Sequence, residues 1–138
     1  MKDIGCHGVE PDNVDCYDNS RCRNGRDKST LKEDQIIYNK WLADEAHKRG
    51  MFIALKNAVG IIPDLVNHFD CAMNESCYRY NECDTYEPFI KKKKLVMNVE
   101  YATQNSGWCS ARGSSELMSK WCDGKNNVCK KDTWVNCW

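Results

Sequence analysis

Short apolar runs recur along this chain, and each closes on polar or acidic residues. Residues 4–9 run into Glu10, 51–55 into Lys56 and Asn57, 69–73 into Asn74 and Glu75, and 95–99 into Glu100 and Tyr101. Apart from Asp70, these runs lack the apolar–polar alternation of a strand with one wet face, so they predict strands buried on both sides. Helical patterns separate most of them, as in a parallel sheet with right-handed crossovers. The chain therefore reads as α/β. In such folds the groups at the C-terminal strand ends line the site.

Local signals set the expected helices. Thr30-Leu31-Lys32-Glu33 is a capping box and predicts a helix start. The helix that follows places Ile37 and Trp41 on one face, with Tyr38, Leu42 and Ala46 alongside, and Gly50 stops it. Residues 61–66 predict a short helix with Pro63 in its first turn, and 85–94 another with Pro88 near its start. Residues 16–29, with the Asn24-Gly25 turn signal, and 77–84 read as loops. Beyond Tyr101 the pattern fades. Residues 102–138 hold four cysteines and four tryptophans, which predicts a disulfide-stabilised extension with a helix over 115–121. Its tryptophans read as packing residues rather than sugar platforms.

Length and charge narrow the class. The 138 residues suit one domain with a core. Twenty basic and twenty acidic residues cancel, which gives no electrostatic reason to expect nucleic acid or an anionic membrane as partner. The run Lys91 to Lys94 reads as the solvated C-terminal turn of a helix rather than a binding patch. Ten cysteines, an even number, occur without a C-x2-C pair and with three histidines. That pattern favours disulfides over structural zinc, and disulfides point to secretion. Cys16 with Cys22 and Cys77 with Cys83 form natural local loops. No apolar run is long enough to span a bilayer, and Met1-Lys2-Asp3-Ile4-Gly5 is not a signal peptide.

The polar groups at the four run ends are Glu10, Asp12, Asn13 and Asp15, then Lys56 and Asn57, then Asn74 and Glu75, then Glu100 and Tyr101. Two carboxylates facing across a cleft are what glycosidic cleavage requires: one protonates the leaving oxygen and the other stabilises or attacks the anomeric centre. No Ser-His-Asp, Cys-His or phosphate-loop pattern competes. Blander roles stay open: Asx-turns at Asp12 and Asp15, a strand-end cation at Lys56, or oxygen ligation of calcium by Asp12, Asn13 and Asp15, although D-x-[DN]-x-[DN]-G is absent.

The segments V-E-P-D-N-V-D, W-L-A-D-E-A-H-K-R-G, L-K-N, N-E-S-C-Y-R-Y-N-E-C-D and N-V-E-Y occur in this order. Together they resemble glycoside hydrolase family 114, whose members are known as endo-α-1,4-polygalactosaminidases on a TIM-barrel-like (β/α)8 domain. The likeness runs from Gly5 to Tyr101. It implies Asp12 as catalytic acid/base and Glu75 as nucleophile of a retaining mechanism. Glu10, Asn13, Asp15, Lys56, Asn57, Asn74, Glu100 and Tyr101 would line the cleft and bind sugar hydroxyls or amines. The implied substrate is a polymer of α-1,4-linked galactosamine, cationic when deacetylated and favoured by an acidic rim. Neither cofactor nor metal is called for. A Cys77–Cys83 bridge would brace the loop after Glu75.

Four strands align with the second half of an eight-stranded barrel. The expectation is a C-terminal half-barrel over 1–101 followed by a cysteine- and tryptophan-rich extension over 102–138, a fragment of a longer secreted enzyme. A half-barrel exposes two sheet edges, so self-association would cover them. The fragment alone is expected to be inactive, because an open cleft is wet and electrostatically weak. The alternative is a non-catalytic secreted carbohydrate-binding or structural protein of the same ancestry.

Overall fold

The computed structural model describes residues 2–101, 118–122 and 134–136. The chain divides into two compact units, Met1–Ala72 and Met73–Trp138.

The first unit contains β1 (Gly8–Val9), α1 (Ser20–Arg23), α2 (Lys28–Lys48), β2 (Phe52–Lys56), α3 (Ile62–Leu65) and the start of β3 (Cys71–Glu75). β1 and β2 pair in parallel, Gly8 opposite Phe52 and Val9 opposite Ile53. Ile53, Ala54 and Leu55 are all buried, as an unalternating run predicts, whereas Phe52 is 52% exposed. The strand expected over 4–9 is cut to two residues. Lys2–Ile4 is a 3-10 turn, Gly5 turns the chain at φ +86°, and Ile4 is exposed.

α2 starts earlier than the capping box predicts. Asp27 is the N-cap and its carboxylate accepts from the Thr30 N–H at 2.9 Å. Bonds from Ser29 and Thr30 hold its pKa down to about 2. An ionised acceptor at the positive helix end is favoured as the cap. The end of α2 is a Schellman motif. Gly50, at φ +64°, donates to His47 O at 2.8 Å, and Met51 donates to Ala46 O at 3.1 Å.

The buried stripe of α2 is Leu31, Asn39, Ala43 and Ala46, while Ile37, Tyr38 and Trp41 are exposed. The face that reads as apolar in sequence therefore turns outward. Small residues let the helix sit close on the unit's interior, and Asn39 satisfies polar groups there. An apolar groove of about 460 Å3 remains beside α2, lined in part by Val9, Pro11, Trp41, Leu42, Met51 and Ile53.

β3 begins two residues later than its apolar run. Asp70, the polar interruption, accepts the Ile53 N–H on Oδ2 at 2.8 Å and lies 2.9 Å from His47 Nε2. α3 carries Pro63 in its first turn, as expected.

The second unit holds the rest of β3, α4 (Cys77–Tyr80), α5 (Glu87–Lys91), β4 (Val96–Tyr101), β5 (Met118–Cys122) and β6 (Trp134–Asn136). Tyr86, Phe89, Val96 and Cys77 are among its buried side chains. Residues 77–84, expected as loop, contain the turn of helix α4, and the Cys77–Cys83 disulfide closes that stretch. Lys91 ends α5 and pairs with Glu87 at 3.0 Å in solvent, the solvated role the lysine run predicts.

The helix expected over 115–121 is corrected where it is described. Met118–Cys122 is a strand, parallel to β4 with Met97 opposite Met118 and Tyr101 opposite Cys122. β6 then pairs antiparallel with β5. Pairing with a long, buried parallel neighbour overrides the local helical pattern. Strands alternating with helices and pairing in parallel make the fold α/β.

Candidate active site

The candidate residues divide between the two units. In the first, β1 and β2 end side by side and deliver the acidic loop next to Lys56. Gly8 permits this approach: a Cβ there would lie 2.3 Å from the Phe52 ring. Lys56 Nζ lies 3.2 Å from Asp12 Oδ1 and 3.4 Å from Glu10 Oε1. Asn13, in the left-handed region at φ +56°, donates from Nδ2 to Asp12 Oδ2 at 3.2 Å. The Asp12 side chain is nonetheless 60% exposed and open to a ligand. Asp15 is half-buried. Burial raises its pKa, the charges of Asp18 and Asp12 push the same way, and its backbone hydrogen bond and Lys56 oppose. Asn57 and Ala58 are both left-handed, at φ +49° and +53°, and turn the chain sharply after β2.

A polar ladder on α2 holds this loop from behind. Gln35 Oε1 accepts the Cys16 N–H at 3.1 Å, and Gln35 Nε2 donates to Asn39 Oδ1 at 2.9 Å. Asn39, fully buried, donates to Val14 O at 2.9 Å. The Cys16–Cys22 disulfide closes the far side. Sequence reasoning missed Gln35 and Asn39. The available signal was their i, i+4 spacing, which brings two amides together on one helix face.

In the second unit, Glu75 ends β3 and Tyr101 ends β4. The Tyr101 hydroxyl donates to Glu75 Oε1 at 2.6 Å. The residues preceding each of these two point the other way, as pleating requires. Asn74 is buried and donates from Nδ2 to the Tyr86 hydroxyl at 2.9 Å. Glu100 is 2% exposed, and its Oε1 accepts the Tyr78 N–H at 2.9 Å and Asn98 Nδ2 at 3.0 Å. Burial raises its pKa against those hydrogen bonds. Asn74 and Glu100, read from sequence as cleft-lining, are both buried and hydrogen-bonded within this unit. Among the described residues no cluster of three or more His, Cys, Asp or Glu is arranged to hold a metal ion. No helix among them is long and apolar enough to cross a membrane.

Comparison with known proteins adds three findings. No curated protein matched the chain. The crystal structure of Aspergillus fumigatus Ega3 in complex with galactosamine is similar, with a TM-score of 0.72 and 34% sequence identity. The likeness covers 87% of this chain and 51% of that one, so the chain spans about half the length of the solved relative. The half-barrel part of the (β/α)8 expectation agrees with that match. Finally, the model of glycoside-hydrolase family GH114 matches residues 1–136, reaching through the cysteine-rich segment, and the chain belongs to that family.

Proposed function

We propose that this protein hydrolyses galactosamine polymers with retention of configuration, alone or within a longer protein of the relative's length, using Asp12 as acid/base and Glu75 as nucleophile. The observation that carries this reading is the family match over residues 1–136. The galactosamine bound by the solved relative supports the substrate class. In the first step Asp12 gives its proton to the glycosidic oxygen, which takes the electrons of the breaking bond, while Glu75 bonds to the anomeric carbon. Water then attacks that carbon, Asp12 takes the water's proton, and the Glu75 carboxylate leaves. Glu10 and Asp15 add negative potential suited to an amino sugar, and Asn13, Lys56 and Asn57 supply further polar contacts. Two disulfides among the described residues support secretion into an oxidising compartment.

Reducing ends released from deacetylated galactosamine polymer test this reading. Asp12→Asn and Glu75→Gln should each lower turnover by roughly 1,000-fold or more, within the usual scale for removing an acid/base or nucleophile. Normal turnover by both variants refutes it. The exposure of Asp12 favours a second reading, carbohydrate binding without turnover, because acid catalysis gains from exclusion of water. Binding of galactosamine oligomers without new reducing ends identifies that outcome. Self-association belongs to the same proposal, supported by the exposed Ile37, Tyr38 and Trp41 on α2, and a monomeric mass by light scattering removes it.

A further inference from the structure

Tyr101 stands at the last residue of β4, one position after Glu100. Consecutive strand residues point to opposite faces, and here one face holds the end of β3 and the other the segment that follows it. On one face Glu100 accepts the Tyr78 N–H at 2.9 Å and so ties down α4. On the other, the Tyr101 hydroxyl donates to Glu75 Oε1 at 2.6 Å. Between them the backbones are joined directly, Ser76 N–H to Val99 O at 2.8 Å. Ser76 is left-handed at φ +68°, so the chain turns immediately after Glu75, and the Cys77–Cys83 disulfide closes the turn. β4 is in turn registered against β5, with Tyr101 opposite Cys122.

We infer that Tyr101 is a positioning residue that fixes the Glu75 carboxylate, rather than a contact for sugar hydroxyls. The inference rests on the reading of Glu75 as nucleophile. A phenol has a single proton to donate, and here it is committed to Glu75. The 2.6 Å separation is that of a charge-assisted O–H···O⁻ bond, among the strongest neutral-to-ion contacts. With Oε1 held, rotation of the carboxylate is restricted. The donor is well placed for this task because its backbone is registered against Cys122 of β5 and the tyrosine side chain has few rotatable bonds. A donor to the ionised form also favours the carboxylate over the acid.

The test is Tyr101→Phe, which removes one oxygen and keeps the ring, with Glu75→Gln alongside. Circular dichroism and thermal melting establish that both variants fold. The Glu75 carboxyl resonance in 13C NMR, assigned by its disappearance in Glu75→Gln, reports the contact without requiring turnover. In Tyr101→Phe its titration midpoint should move up by about one pH unit, the scale of one charge-assisted hydrogen bond. On galactosamine polymer, kcat should fall roughly 10- to 100-fold with KM changed less than about twofold, and the acid limb of the pH profile should rise with the midpoint. An unmoved midpoint overturns the inference, as does a raised KM with unchanged kcat, which is the signature of a substrate contact. If Glu75→Gln turns over normally, the nucleophile assignment falls. The midpoint still decides whether Tyr101 governs Glu75.

Discussion

Glu100 offers a perturbation whose sign and size both follow from its surroundings. Its side chain is 2% exposed, and Oε1 accepts from Tyr78 N–H and Asn98 Nδ2. Oε2 has no partner among the described residues. Burial therefore dominates and holds the folded pKa above the ordinary 4.5. With the folded pKa raised, the native state binds more protons than the unfolded state between those two values. The contribution to stability is complete below pH 4.5 and is lost as pH rises through the folded pKa. Glu100→Gln keeps an acceptor for Tyr78 and cannot ionise. Its stability relative to the native protein should accordingly improve as pH rises from 4.5 and level off once the native carboxyl has ionised. Glu100→Ala removes the acceptor from one part-buried and one buried donor, each costing about 1–3 kcal/mol, and opens a cavity besides, for a total of about 3–5 kcal/mol. Urea denaturation followed by tryptophan fluorescence at several pH values measures both. Parallel pH profiles for the native protein and Glu100→Gln refute the account of the buried carboxyl. A cost below about 1 kcal/mol for Glu100→Ala refutes the claim that it ties down α4.

Two further substitutions probe the first unit. Asn39→Leu leaves the Val14 carbonyl and the Gln35 amide without their partner and should cost about 2–4 kcal/mol in chemical denaturation; a loss under about 0.5 kcal/mol removes the ladder from the account. Gly8→Ala drives a methyl into the Phe52 ring and should cost about 1–2 kcal/mol, held down because that ring is half-exposed and can swing away. In a Phe52→Ala background the same change should be nearly neutral, so an additive double-mutant cycle contradicts the contact.

Much of the architecture is legible from local pattern because the signals are local. Unalternating apolar runs mark β2, β3 and β4, Pro63 and Pro88 mark the first turns of α3 and α5, and Gly50 marks the end of α2. The short spacings of Cys16–Cys22 and Cys77–Cys83 give both observed disulfides. The early start of α2 is local, Asp27 taking the cap from Thr30 three residues on. Two of the failures share one cause, competition from contacts distant in sequence: Asp70 delays β3 by bonding to Ile53, and pairing with β4 makes a strand of Met118–Cys122. The orientation of α2 failed for a related reason. Ile37, Tyr38 and Trp41 form the obvious apolar face, yet Leu31, Asn39, Ala43 and Ala46 are the residues buried.

The candidate site follows the same division. By itself the sequence determined the chemistry available, namely carboxylates, amides, a lysine and a tyrosine placed after apolar runs, together with the family to which their motifs belong. Tertiary structure decided which of these groups stay accessible and which are buried. Glu75 and Tyr101 share a hydrogen bond while their neighbours Asn74 and Glu100 are drawn into the interior. Residue type and spacing say that a polar group ends a strand. The pleat and its neighbours decide which face that group takes, because a shift of one position reverses the side chain's direction.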